Sequence, residues 1–222
     1  MDFDFSPLLI SLKTSLVSIV IVFILGIFLA RLFYNVSGKL KWVLDVIFTL
    51  PLVLPPTVVG FLLLLFFGKN GPIGSLLFAW GIPIIFTWQA TLIASVVVSF
   101  PLMYRAATGA MEQVDINLIW AGRTLGLSEM KIFIKIIVPQ AWPGIAAGAI
   151  LAFARGLGEF GATLMIAGNI PKVTQTIPLA IYFATAGGKM HTALIWSLII
   201  ICISCSVLGL MNFWGEKGRK LI

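Results

Sequence analysis

Few residues in this chain have the type and spacing for chemistry, and most of those sit in apolar surroundings. Cys202-Ile203-Ser204-Cys205 has the C-x-x-C spacing of a redox dithiol. Such a role needs thiolate, and thiolate needs polar neighbours. These two lie deep in an apolar run and read as packed or lipid-facing thiols. Gly156-Leu157-Gly158-Glu159-Phe160-Gly161 fits the dinucleotide pattern G-x-G-x-x-G, but that fingerprint needs a preceding strand, and this run is apolar and helical in character. His191 is the single histidine, without partners for a metal cluster. No G-x-x-x-x-G-K-[ST] occurs, so the chain binds no ATP through a Walker A loop. What remains is Arg155 and Glu159, four residues apart and able to neutralise each other on one helix face. Ionisable groups at such depth face a bundle interior or a cavity. A pair stabilising a buried helix and a pair bordering a polar path both fit.

The elements that must position these residues are membrane spans. The chain has 222 residues, 60% hydrophobic and only 10% charged, with mean hydropathy +1.09. A soluble domain carries about 25% charged residues to cover its surface. This composition excludes a cytosolic enzyme, a secreted disulfide scaffold and a disordered tail. The net charge of +7 forms no solvated stripe for nucleic acid. Apolar runs at about 8–30, 42–67, 84–104, 142–167 and 192–213 predict five spans of roughly 20 residues or more. The stretch 73–80 is too short to cross and reads as interfacial. The acidic start Met1-Asp2-Phe3-Asp4-Phe5 lacks the basic character of a signal peptide, so the first run reads as a retained span.

Charge sets the expected orientation. Arg31, Lys39, Lys41, Arg105, Arg123, Lys131, Lys135, Lys217, Arg219 and Lys220 collect on one side, and only Lys69, Lys172 and Lys189 on the other. By the positive-inside rule the first side is cytoplasmic, which puts the N-terminus outside and the C-terminus inside. Asn35-Val36-Ser37, a glycosylation pattern, then falls on the cytoplasmic side. Lys13 and Asp45 lie near span ends and read as interfacial, and His191 reads as lying at the outer end of the last span.

Within the second run, Pro51, Pro55 and Pro56 free backbone carbonyls, with Thr57 beside them as a hydroxyl donor. Irregular backbone at that depth must be buried in protein or line a wet cavity. A kink in a packed helix and a turn in a pathway or gate both fit. Gly144 and Gly148 form a G-x-x-x-G, and the fourth run reads as a close-packing core at a dimer interface.

The polar segment 112–135 is the largest feature between spans. Ser128 can cap a short helix starting at Glu129, on which Met130, Phe133, Ile134 and Ile137 form one apolar face. Pro139 and Pro143 are expected to end that element before the next span. An interfacial helix lying on the membrane and a docking element for a cytoplasmic partner fit equally.

Trp120-Ala121-Gly122-Arg123-Thr124-Leu125-Gly126, nine residues, then Ile136-Ile137-Val138-Pro139 resembles the "EAA" loop of ABC importer permeases. Ala121, Gly126, Ile136 and Pro139 match outright, whereas Trp120 stands where the family has its acidic residue. Leu50–Gly60, Ser99–Met103, Leu151–Thr163, Gly168–Pro171 and Thr174–Pro178 resemble the molybdate permeases of that superfamily, in order and over nearly the whole chain. Relatives with an additional N-terminal span occur in that family.

The resemblance implies an all-α, polytopic membrane bundle of about five helices, the type I ABC importer fold, with 1–222 as one permease domain. It implies that loop 120–139, through Trp120, Ala121, Gly122, Arg123, Gly126, Ser128, Met130, Phe133, Ile136 and Pro139, couples to an ATP-binding subunit. Pro55, Pro56, Thr57, Arg155 and Glu159 are the expected pathway or gate residues. Expected partners are a second copy of the chain, two cytoplasmic ATP-binding subunits and an external oxyanion-binding protein. ATP and magnesium belong on the ATP-binding subunits, with no cofactor or metal on this chain. Tungstate, sulfate and thiosulfate are alternative cargoes. An ion-coupled secondary transporter would need internal repeats, against which the odd span count argues. An intramembrane enzyme would need a nucleophile–base pair that the chain does not offer.

Overall fold

The structure is a computed structural model describing residues 4–34 and 36–219, with side chains to residue 209. Asn35 and Lys220 lie outside the described residues. Those residues form helices without a strand: α1 (Ser6–Phe33), α2 (Lys39–Val53), α3 (Pro56–Phe67), α4 (Gly74–Ala79), α5 (Trp88–Glu112), α6 (Ile116–Thr124), α7 (Glu129–Ile132), α8 (Val138–Leu157), α9 (Gly161–Ala167), α10 (Ile177–Ala186) and α11 (Met190–Arg219). Four helical stretches are long and apolar enough to cross a membrane, and the bent pair α2–α3 makes five if it counts as one span.

The core is a three-helix seam of α1, α5 and α8. Val22, Met103, Tyr104, Ile145 and Ala152 are buried there. Small residues bring the axes close: a Cβ at Gly26 would meet Met103 Cγ at 2.6 Å, and one at Gly144 would meet Ala110 Cβ at 2.6 Å. The G-x-x-x-G therefore packs against α5 of its own chain, and Ala106 fills the place opposite Gly148. Small faces of this kind let helices approach where lipid supplies no hydrophobic drive.

Hydroxyls run through the same seam. Ser11, Thr14, Ser15 and Ser18 of α1 are buried near Thr91, Ser95 and Ser99 of α5. Thr14 and Thr91 share a hydrogen bond of 3.3 Å. Ser11 accepts from the Ile177 N–H at 2.8 Å and so seats the start of α10, a helix that the hydropathy pattern did not single out.

The second expected span is a corner. The axes of α2 and α3 differ by 113°. The residue before a proline is pushed out of the helical region, and the Pro55–Pro56 pair does this to two residues in succession. Leu54 (ψ 142°) and Pro55 (ψ 135°) are accordingly extended. Pro51 alone stays inside α2.

The fourth expected span needs two corrections. Pro139 and Pro143 do not end the preceding element: Glu129 to Leu157 forms one continuous stretch of 29 residues. A π-turn at Phe133–Ile137 joins α7 to α8, with the Val138 N–H donating to the Phe133 carbonyl. Pro139 follows directly after this wide turn, and the helix continues through it. At the other end the run breaks at Gly158-Glu159-Phe160, and α9 is a separate short helix.

Candidate functional site

Two groups of expected residues are assembled by this fold, one at each break in the helices. The first is the loop of α6 and α7. Asp115 caps α6 by accepting from the Asn117 N–H at 2.9 Å. Gly126 (φ 73°) ends it in the left-handed conformation that favours glycine. The Gly126 N–H donates to Arg123 O and the Leu127 N–H to Gly122 O, the paired bonds of a Schellman turn. Ser128 then caps α7 by accepting from the Lys131 N–H at 3.4 Å.

Across this turn Arg123 meets Glu129 in a two-pronged pair, Nε to Oε1 at 2.8 Å and a terminal nitrogen to Oε2 at 3.2 Å. The guanidinium also lies 5.2 Å from the centre of the Trp120 ring. The stretch from Glu129 to Leu157 is about 43 Å long against a hydrocarbon core of about 30 Å, and the charged Glu129, Lys131 and Lys135 make its first turns the part that extends beyond the membrane. There the hydrogen bond from Arg123 holds the Glu129 carboxyl below its ordinary value of 4.5.

The apolar face of α7 is turned from the expected one. Ile132 and Ile137 are buried and Phe133 and Ile136 half-buried, facing the bundle, while Met130 and Ile134 are exposed. Gly122 makes room for this packing: a Cβ there would meet Ile136 Cδ1 at 2.9 Å and Ile132 Cγ1 at 3.2 Å. Arg31 reaches over the Phe133 ring at 5.2 Å. The outer surface of the loop presents Trp120, Ala121, Leu125, Met130 and Pro139, with Leu125 79% exposed. Exposed apolar groups outside the hydrocarbon core fit either the lipid surface or a partner protein.

The second group joins the corner α2–α3 to the break α8–α9. A Cβ at Gly161 would meet Pro56 Cβ at 2.9 Å, and one at Gly60 would meet the Ala162 Cα at 2.8 Å. Pro56 and Thr57 therefore lie against the segment that carries Glu159. The Arg155 guanidinium donates to Glu159 Oε2 at 2.7 Å, and the Ala162 N–H donates to Oε1 at 2.7 Å. Glu159 thus satisfies a free amide at the start of α9 as well as neutralising Arg155. The carboxylate is nearly fully buried and the guanidinium is 29% exposed. Pro55 and Thr57 are exposed.

Two polar pairs lie outside these groups. Tyr104 donates to Asp45 Oδ1 at 2.6 Å, and Lys41 pairs with Glu112 at 2.6 Å, so two bonds fasten α2 to α5. Cys202 and Cys205 are unpaired and exposed on α11, and His191 is exposed in its first turn. Among the described residues no group of three metal-ligating side chains forms.

The reading of the sequence missed the hydroxyl seam of α1 and α5. Its signal was present: Ser11, Thr14, Ser15 and Ser18, and Thr91, Ser95 and Ser99, recur at three- and four-residue steps on one helix face. It also missed Glu129 as the partner of Arg123, six residues away across a turn.

Residues 22–214 match the family described as the inner membrane component of binding-protein-dependent transport systems. The chain belongs to that family. This inner membrane component is 46% identical to the putative molybdenum transport system permease protein YvgM of Bacillus subtilis, over 90% of its own length and 88% of that protein's. It is 44% identical to the molybdenum transport system permease protein ModB of Escherichia coli, covering 95% and 92% of the two chains. Among solved structures it is similar to a chain of the MetNI methionine ABC transporter in an inward-facing conformation, with TM-score 0.74 and 16% identity over 95% and 94%. It is also similar to a chain of a bacterial ABC transporter that imports alginate, with TM-score 0.77 and 15% identity over 96% and 78%. The inner membrane component thus has the fold of an ABC importer permease.

Proposed function

We propose that the chain is the permease subunit of an ATP-driven importer that carries molybdate across the cytoplasmic membrane. The observation that carries this reading is the likeness, at 44–46% identity over nine-tenths of the chain or more, to proteins named as molybdenum transport permeases. Two copies form the pathway, two ATP-binding subunits sit on the side of the α6–α7 loop, and an external binding protein delivers the oxyanion. ATP and magnesium are held by those subunits. The N-terminus is outside and the C-terminus cytoplasmic, in accord with the basic residues gathered on one side.

The loop geometry favours docking over a helix lying on lipid. Trp120, Leu125 and Met130 form its outer surface, and the Arg123–Glu129 pair stiffens the turn that presents them. Because α7 runs without a break into α8, a displacement of the loop moves α8 along its axis. At the far end of α8 the Arg155–Glu159 pair passes that movement to α9 and, through the Gly161–Pro56 contact, to the corner at Pro55-Pro56-Thr57. ATP-driven closure of the partner subunits would thereby switch the pathway between outward- and inward-open states. Arg155 is already paired with Glu159, so no unpaired cation of this pair traps a divalent anion, which must leave as readily as it enters.

Proteoliposomes holding the assembled transporter and its binding protein test the reading. ATP-dependent uptake of radiolabelled molybdate that excess sulfate does not displace is the expected result. Uptake of sulfate or thiosulfate in preference to molybdate would move the assignment to those oxyanions.

A further inference from the structure

The end of the bundle opposite the α6–α7 loop holds a polar feature that the transport reading does not use. α5 spans about 37 Å from Trp88 to Glu112, which separates the two ends. At the Trp88 end a cavity of about 250 Å³ is lined by Leu9, Ile10, Lys13, Trp88, Lys172 and Val173. It contains two lysines and no carboxylate.

The side chain of Lys13 and the backbone of Lys172 are held in place. The Lys13 ammonium lies 4.0 Å from the centre of the Trp88 ring. That ring is held in turn, since its indole N–H donates to Thr14 Oγ1 at 2.9 Å. Lys172 has φ 64°, a left-handed backbone that costs a residue with a side chain about 1–2 kcal/mol. The loop enforces it. The N–H groups of Val173, Thr174 and Gln175 converge on the Ile170 carbonyl at 2.9–3.1 Å, and the buried Thr174 hydroxyl accepts from the Ile170 N–H at 2.9 Å. Strain of this kind, fixed by its surroundings, points to a role. Among the described residues neither lysine forms an ion pair. Asp4, the carboxylate that feels Lys172, is engaged with the Ser6 N–H and hydroxyl.

We infer that this pocket binds a tetrahedral oxyanion, with Lys13 and Lys172 as its two cationic arms and the Trp88 ring as its wall. Two ammonium groups supply donors and charge but no acceptor, which selects an anion. The apolar Leu9, Ile10 and Val173 continue the pocket along α1, so a phosphate carrying hydrocarbon fits better than a free ion. Depth agrees. Lys13 lies about 10 Å along α1 from Ser6, within snorkelling reach of the headgroup layer. An anionic phospholipid headgroup is therefore the favoured source of the oxyanion, and free molybdate is the other source with the same chemistry.

The test uses the intact purified transporter without its binding protein. Native mass spectrometry measures retention of titrated phosphatidylglycerol, and equilibrium dialysis measures radiolabelled molybdate. Lys13→Gln and Lys172→Gln are each expected to weaken phosphatidylglycerol binding about five-fold, and together about thirty-fold, while Lys189→Gln changes nothing. Lys172→Arg should retain binding. Should the double variant fail to assemble, Lys172→Gln, in an exposed loop, carries the test alone. Lipid binding unchanged but molybdate binding lost would assign the subsite to the free oxyanion. Both ligands binding equally to wild type and variants would overturn the inference. These readouts involve no transport, so they stand or fall independently of the molybdate assignment.

Discussion

Replacing Arg155 by Met removes the counter-charge of a carboxylate whose side chain is 2% exposed. Losing one member of a buried pair costs about 3–5 kcal/mol. Two features reduce that here. The guanidinium is 29% exposed, so part of its attraction is already screened, and Glu159 keeps the Ala162 N–H at 2.7 Å. A loss of about 2–3 kcal/mol remains, or roughly 5–10 °C in melting temperature for a chain of this size. Glu159→Gln keeps one carbonyl oxygen to accept from the Ala162 N–H but places an NH2 where Oε2 accepted from Arg155, and because the unmatched guanidinium is partly exposed the change should cost about 1 kcal/mol. In the double variant no charge is stranded. Its destabilisation should therefore fall short of the sum of the single changes by about 1 kcal/mol or more. Thermal unfolding of the four proteins in detergent, followed by tryptophan fluorescence, measures the cycle. Additivity within about 0.5 kcal/mol would refute a coupled pair at the α8–α9 break.

Three further outcomes follow from the loop. Leu125→Asp with Met130→Asp should leave the melting temperature within about 2 °C, since both side chains are exposed, yet abolish copurification of the ATP-binding subunit. Gly122→Val should lower that copurification by a different route, since its side chain must displace Ile136 and Ile132, and protease cleavage between α6 and α7 should accelerate. Glu129 has its carboxyl held below 4.5, so the Arg123–Glu129 pair contributes fully above that pH and is lost only as pH falls through the lowered value. Hydrogen exchange of the 122–131 amides should accordingly show the same protection at pH 8 and pH 6 after correction for intrinsic rates, and Glu129→Gln should reduce it at both.

The spans and the loop were legible because they rest on composition and spacing. Apolar runs, basic clusters and the Ser128 cap each act locally, and the structure places helices and cap there. What was not legible depends on partners distant in the chain. Pro55-Pro56 signalled irregular backbone, but a kinked helix and a corner of 113° differ only in what packs outside, here α9 through Gly60 and Gly161. Pro139 looked like a helix terminator because its missing N–H breaks an α-helical ladder, whereas the wide turn at Phe133–Ile137 directly before it lets the helix run on. Which residues of α7 face the bundle was not legible, because Met130 and Ile134 satisfy helical periodicity as well as Ile132 and Ile136 do. Only the bare surface of Gly122 decides between them. The role of Glu159 was half visible: spacing indicated Arg155, while the Ala162 amide becomes free only because the helix breaks.

The measurement closest to the central claim is the ATPase rate of the reconstituted transporter as its binding protein is added empty or loaded with molybdate. Several-fold stimulation by the loaded form alone is expected, abolished by Leu125→Asp with Met130→Asp in permease that still folds. An ATPase rate indifferent to molybdate-loaded binding protein, in a complex that is otherwise intact, would contradict it.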